Sequence, residues 1–172
     1  DPIKDVDGFH PYNVGRMVSN LDAFVPATPF GVMELLKEYK IDVLGKNVCV
    51  VGASDIVGKP MAALMTNAKA TVTVCNSKTK NLKQHTLNAD IICVGAGVIN
   101  LITEDMVSEG AIVVDIGINR LNNGKLIGDV DFINVSNKCS HITPVPGGVG
   151  PMTIAMLLKN TVKAAKKNKR VD

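Results

Sequence analysis

The sequence predicts a doubly wound α/β domain: a parallel sheet with helices on both faces, a projecting β-hairpin and a long C-terminal helix. Three observations carry this. Short β-branched runs alternate with helix-forming stretches along the chain. The runs are continuously apolar rather than alternating, as strands buried on both faces are. The 172 residues, 46% hydrophobic and 20% charged with 15 Gly and 8 Pro, have the composition of one globular domain.

The elements follow in order. Pro26-Ala27-Thr28-Pro29 precedes Val32, Leu35, Leu36 and Tyr39, whose spacing places them on one helical face. Thr28 fits as the N-cap, with Pro29 at the first helical position where its missing N–H costs nothing. Gly45 breaks the chain before Asn47-Val48-Cys49-Val50-Val51, a strand closed by Gly52, and Pro60 to Met65 is helix-forming. Thr71 to Cys75 is a second strand leading to a helix over 81–88; Asp90 to Val94 is a third, leading to Gly95-Ala96-Gly97 and a short helix near Glu104 to Val107. Ala111 to Ile116 is a fourth. Asn122-Asn123-Gly124 is a tight-turn signal between Arg120-Leu121 and Lys125-Leu126-Ile127, so a hairpin spans Ile118 to Val130. Ser140 to Thr143 is the last strand. A Pro/Gly-rich loop, Pro144 to Gly150, then leads into a long helix from Pro151, with Ile154, Leu157, Leu158 and Val162 as its apolar stripe.

Composition also excludes functions. The net charge of +3 is uneven: from Pro151 onward six basic residues face one acid, a local +5, leaving −2 on the other 150 residues. With 3% aromatics and no Trp, there is little on which to stack bases, so no nucleic-acid partner is expected. No apolar run approaches the ~18 residues of a membrane span, and the N-terminus lacks signal-peptide order, so the expectation is a cytoplasmic protein with no membrane partner. Cys49, Cys75, Cys93 and Cys139 form no C-x-x-C pair and read as buried reduced thiols. His10, His85 and His141 are too widely spaced for a metal motif, so no metal is expected.

The stretch Val51-Gly52-Ala53-Ser54-Asp55-Ile56-Val57-Gly58-Lys59-Pro60 lies where the first strand meets its helix, the position at which parallel sheets hold nucleotide phosphates. A P-loop has four residues between its glycines, then Lys-Ser/Thr. Here five intervene and Pro60 follows Lys59, which disfavours an NTPase. The stretch is not G-x-G-x-x-G either, and its placement after an apolar strand carries the nucleotide reading; the alternative is a glycine turn with no ligand. An NAD-selective site places Asp or Glu at the end of the second strand. This chain has Asn76-Ser77-Lys78-Thr79, and no carboxylate occurs between Asp55 and Asp90. A hydroxyl beside a lysine suits a 2′-phosphate, so NADP is preferred over NAD; the alternative is a plain loop leading into a helix. Gly52 to Ile56 lacks the last glycine of a serine-nucleophile elbow. Hydride transfer needs neither nucleophile nor metal, because the cofactor supplies the chemistry.

Lys4-Asp5-Val6-Asp7-Gly8-Phe9-His10-Pro11, Pro26-Ala27-Thr28-Pro29-Phe30-Gly31, the Val51 to Pro60 loop, Asp115-Ile116-Gly117-Ile118-Asn119, Gly128-Asp129-Val130 and the run from Thr143 to Thr153 resemble, across essentially the whole chain, the bifunctional methylenetetrahydrofolate dehydrogenase/methenyltetrahydrofolate cyclohydrolase family. The resemblance implies a Rossmann-like NAD(P)-binding fold and NADP-dependent oxidation of 5,10-methylenetetrahydrofolate to the methenyl form, followed by hydrolysis to 10-formyltetrahydrofolate. It implies that Asp7 hydrogen-bonds the pterin, that Pro146, Gly147 and Gly148 flank the folate, and that Thr28, Gly52, Ala53, Ser54, Ser77, Ile118 and Thr153 line the NADP site. It further implies a homodimer through the cofactor domain. Some members carry Arg where this chain has Ala53, so one source of charge for the 2′-phosphate is missing.

The family's Y-x-x-x-K helix with its catalytic lysine does not appear: Tyr12 is followed four residues on by Arg16, and Tyr39 by Val43. The expected division is a leading segment over 1–27 belonging to an absent N-terminal domain, an NADP-binding domain over 28–150, and a helix over 151–172 that packs back on the absent domain. The expectation is therefore a chain with little turnover of its own, whose last helix leaves part of its stripe uncovered, with the segment after about Thr161 frayed, disordered or held by a neighbouring molecule. Two rival readings are a non-catalytic dinucleotide-binding or regulatory module and a shikimate-type dehydrogenase. Neither accounts for the Asp7 segment and the Pro146 loop together.

Overall fold

The computed structural model describes residues 1–168. The helices are α1 (Pro11–Val18), α2 (Ala27–Glu38), α3 (Gly58–Asn67), α4 (Leu82–Leu87), α5 (Phe132–Val135) and α6 (Val149–Asn168). The strands are β1 (Asn47–Val51), β2 (Thr71–Cys75), β3 (Ile91–Val94), β4 (Ile112–Asp115), β5 (Asn119–Arg120), β6 (Leu126–Ile127) and β7 (His141–Ile142). Five of them form a parallel sheet in the order β2-β1-β3-β4-β7, and β5 and β6 form a separate antiparallel hairpin.

Each interior strand feeds two cores because successive side chains point to opposite faces. On one face Val48 and Val50 of β1, Ile91 and Cys93 of β3 and Val114 of β4 meet Val32 and Leu36 of α2, Met61 and Met65 of α3 and Val149 of α6. On the other, Cys49, Val51, Ile92, Val94 and Val113 meet Ile102, Val107 and Val135. That is why the strands read as continuous apolar runs. All four cysteines are free thiols; Cys49, Cys75 and Cys93 are buried and Cys139 is half-buried. Burial pushes the Cys93 thiol up to about 12.

Three local expectations differ from the structure. Helix α1 lies in the leading segment, where none was expected. The His10 side chain caps it by accepting the Tyr12 N–H at 3.1 Å, and Pro11 starts it. Helix α2 begins at Ala27 with Pro26 at the N-cap, so Thr28 lies in the first turn and is not the cap. Tyr39 ends that helix and is exposed, while Val32 and Leu36 are buried. The short helix expected near Glu104 to Val107 is present as a 3-10 helix over Glu104–Met106.

The largest difference is in α6. It starts at Val149, and its buried face is Val149, Met156, Asn160 and Ala164, packed chiefly on α2. Ile154, Leu158 and Val162 of the expected stripe are 66%, 63% and 54% exposed, so the stripe is left in part uncovered, as expected. Asn160 explains the choice of face: its side-chain amide donates to the Val6 carbonyl at 2.8 Å and the Val25 carbonyl at 2.9 Å, anchoring the leading segment to the helix. The helix runs from Val149 to Asn168. The remainder of the expected frayed segment lies outside the described residues.

Candidate functional site

The carboxyl ends of the parallel strands gather most of the expected site residues. Gly52 leaves β1 with φ +115°, a conformation that favours glycine, and a Cβ there would collide with the Gly95 carbonyl oxygen. Its N–H donates to the Cys75 carbonyl at 2.9 Å, so the loop after β1 is fixed beside the end of β2 and packed on the segment after β3. Ser54 completes the turn into α3 by accepting the Val57 and Gly58 N–H groups at 3.2 and 3.4 Å. Among the described residues, the N–H groups of Ala53 to Ile56 have no intramolecular acceptor. These donors beside the N-terminus of α3 suit a phosphate.

At the end of β2, Asn76 orders the next turn. Its side-chain oxygen accepts the Lys78 N–H at 2.9 Å, and the Thr79 hydroxyl accepts the Asn76 N–H at 2.8 Å. Ser77 and Lys78 are left exposed at the sheet edge next to the Gly52 loop. No acidic side chain occupies this turn.

Further along, Ile118, Pro146, Gly147 and Gly148 come together in one apolar groove of about 460 Å³ between the β4 loop, the β7 loop and the start of α6. The Val145–Pro146 peptide is cis. Thr153 lies one turn into α6, and its hydroxyl donates to the Thr28 hydroxyl at 3.0 Å, joining two expected cofactor residues across α2 and α6. Asp7 stands apart from the groove. Its neighbour Val6 is bonded to Asn160, six residues beyond Ile154 of the groove wall and so roughly 9 Å along the helix axis. Asp5 orders the turn around it by accepting the Phe9 and His10 N–H groups and the Asn13 amide. Burial raises the Asp5 carboxyl, but the hydrogen bonds from Asn13, His10 and Phe9 outweigh it and hold it below the ordinary value. Asp7 is exposed.

Two buried carboxylates that sequence reasoning did not single out hold these loops together. Asp115 accepts the Gly117, Asp129 and Val130 N–H groups, each at 3.0 Å. Asp129 accepts the Ala96 and Gly97 N–H groups at 2.6 and 2.8 Å and the Asn119 side-chain amide at 2.8 Å. A Cβ at Gly117 would collide with the Asp129 carboxyl and one at Gly128 with that of Asp115, which accounts for both glycines. Burial pushes the Asp115 carboxyl up, the three N–H groups pull it back, and the Asp129 charge adds to the rise; the net direction is upward. No group of three or more His, Cys, Asp or Glu residues able to hold a metal occurs among the described residues.

Residues 26–169 match the NAD(P)-binding domain of tetrahydrofolate dehydrogenase/cyclohydrolase. The chain belongs to this family. Bifunctional protein FolD of Aliarcobacter butzleri is 73% identical over 166 residues, 96% of this chain and 58% of that protein. The corresponding protein of Sulfurimonas denitrificans is 75% identical over the same length. The crystal structure of the Campylobacter jejuni bifunctional enzyme FolD superposes with a TM-score of 0.94 at 63% identity, covering 96% of this chain and 59% of that one. Trypanosoma brucei FolD, solved with NADP cofactor and an inhibitor, gives a TM-score of 0.94 at 39% identity. The chain spans about three fifths of these relatives' length. No helix among the described residues is long and apolar enough to cross a membrane.

Proposed function

We propose that this chain is the dinucleotide-binding part of an NADP-dependent methylenetetrahydrofolate dehydrogenase and methenyltetrahydrofolate cyclohydrolase. The activity oxidises 5,10-methylenetetrahydrofolate to the methenyl form and hydrolyses that to 10-formyltetrahydrofolate. The observation that carries the reading is the glycine loop after β1, with its unpaired N–H groups at α3, in a chain matching the family's NAD(P)-binding domain over residues 26–169. NADP, when bound, supplies the hydride acceptor. The Ala53 to Ile56 N–H groups hold its phosphates, and Ser77 with Lys78 receives the 2′-phosphate. Ile118, Thr28 and Thr153 complete the cofactor side. Pro146, Gly147 and Gly148 flank the folate, and Asp7 binds the pterin. The active form is a cytoplasmic homodimer assembled through the cofactor domain, with the β5–β6 hairpin reaching across the two-fold axis. The chain by itself turns over substrate poorly, because no Y-x-x-x-K lysine is among its residues to supply acid–base assistance typically worth 10²- to 10⁴-fold.

Titration calorimetry of the 172-residue chain with NADP and NAD tests the reading. NADP binds more tightly, and Lys78→Glu weakens NADP roughly tenfold by removing a charge-assisted contact while leaving NAD nearly unchanged. Equal affinities for the two dinucleotides would sink the 2′-phosphate assignment.

A further inference from the structure

The Asp115–Asp129 pair has none of the site roles above, yet its hydrogen bonds reach the ends of three strands of the parallel sheet, β3, β4 and β7. Through Ala96 and Gly97, Asp129 holds the segment after β3, on which the Gly52 loop rests. Through Asn119, it holds the segment after β4 that carries Ile118. Asp115 fixes the backbone of Asp129 itself, and its own N–H donates to the Thr143 hydroxyl at 2.8 Å, where the Pro146 loop begins. Two successive N–H groups such as those of Ala96 and Gly97 form a concavity that attracts anions. Asp129 fills this one from inside the protein. Incoming phosphate is thereby left with the neighbouring Gly52 loop as its binding surface.

We propose that Asp129 is a positioning residue of the dinucleotide site, fixing the Gly95–Gly97 segment under the Gly52 loop and locking it to the Ile118 segment. The inference rests on the dinucleotide reading above and goes beyond it by assigning this role to a fully buried residue.

Asp129→Asn tests it. One carboxylate oxygen becomes an amide, which must face either the Ala96 and Gly97 N–H groups or the Asn119 amide, donor against donor in both orientations. Ala96 and Gly97 are exposed residues, so slow exchange of their amide hydrogens reports the Asp129 bonds directly. The expected result is roughly tenfold faster exchange at both amides and a roughly tenfold weaker NADP affinity, read where the variant is fully folded. The double variant Asp129→Asn with Asn119→Asp restores the pairing at position 129, since the Asn oxygen still accepts from Ala96 and Gly97 while its amide donates to the new carboxylate, but it gives up the bond from the Asn119 amide to the Gly128 carbonyl. It recovers part of the affinity that Asp129→Asn loses, the rest being the cost of the missing Gly128 bond.

Unchanged exchange at Ala96 and Gly97 would overturn the inference. So would a lowered melting temperature with an unchanged NADP affinity, because that is the mark of a merely structural residue. A parent chain that binds no NADP defeats the dinucleotide reading, and the positioning role with it, while slow exchange at Ala96 and Gly97 would still show the interlock. Should Asp129→Asn fail to fold, Asn119→Ala removes one Asp129 bond together with the bond to the Gly128 carbonyl and carries the same two readouts, with a change of a few fold expected.

Discussion

The carboxyl ends of the sheet and the outer face of α6 solve opposite problems. At the strand ends, two buried carboxylates sit among backbone donors, every buried side-chain N and O atom of the described residues has a partner, and the loops are fixed from within. Along α6, Ile154, Leu158 and Val162 face outward, and the polar contacts are lysines at the surface: Lys163 and Lys167 on Asp22 and Lys159 on Glu34. The first region is rigid because each polar group removed from water is compensated. The second is held by exposed ion pairs, which are worth little individually, and by the buried Asn160. Order at the site therefore resides in the domain's own polar interior, whereas the long helix contributes order through only one of its two apolar faces.

The largest expected effect comes from breaking the interior side of this contrast. Asp115→Ala leaves three buried N–H groups without an acceptor, and since each such loss costs about 1–3 kcal/mol, destabilisation of roughly 3 kcal/mol or more is expected in urea unfolding. A loss near the ±0.5 kcal/mol typical of surface substitutions would remove the claim that the carboxylate organises these loops.

A second experiment sharpens the comparison within one helix. Met156 is buried against α2, so Met156→Ala should cost about 2–5 kcal/mol. Leu158, two residues on, is 63% exposed, so Leu158→Ala should change the stability of this chain by no more than about 0.5 kcal/mol. Equal costs at the two positions would show that the outer face is covered in solution.

The smallest effect concerns Asp22, whose carboxyl is lowered to about 2 by the Lys163 and Lys167 hydrogen bonds. Because the folded value lies below the unfolded one, its contribution is present above about pH 4 and is lost as pH falls toward 2. The pair is exposed, so Asp22→Asn should cost under about 1 kcal/mol at neutral pH and nothing near pH 2. A cost independent of pH would rule out the ion pair as its source.

How much of this was legible beforehand depends on where the determining contacts lie. Strands β1, β3 and β4 were legible because burial on both faces leaves a continuous apolar run, the exposed edge strand β2 because Thr71 to Val74 are all β-branched, and the hairpin because Asn122-Asn123-Gly124 encodes its turn locally. The Gly52 loop was legible from its place between strand and helix, as was the missing acid at Ser77-Lys78. The buried face of α6 was not: the decisive residues are Asn160 and Ala164, one polar and one small, selected by the carbonyls of Val6 and Val25 more than 130 positions away. Thr28 looked like a cap because a cap is a local pattern, whereas its hydroxyl answers to Thr153 in α6. Asp115 and Asp129 were visible only as parts of family motifs. Nothing in an isolated Asp-Ile-Gly or Gly-Asp-Val says that each glycine makes room for the other motif's carboxylate.

That reciprocal arrangement has a consequence for how the fold tolerates change. Asp115 grips the chain both where it departs for the β5–β6 hairpin, at Gly117, and where it returns, at Asp129 and Val130. The hairpin is therefore a closed excursion with a clamped neck, insulated from the sheet that carries it. Lengthening such an excursion costs little, about 0.6 kcal/mol for each doubling of a flexible loop. Its tip at Asn122–Gly124 is accordingly a place where residues could be grafted or deleted to redesign what the projecting arm touches, while the register of β4 and the loops around the groove stay as they are.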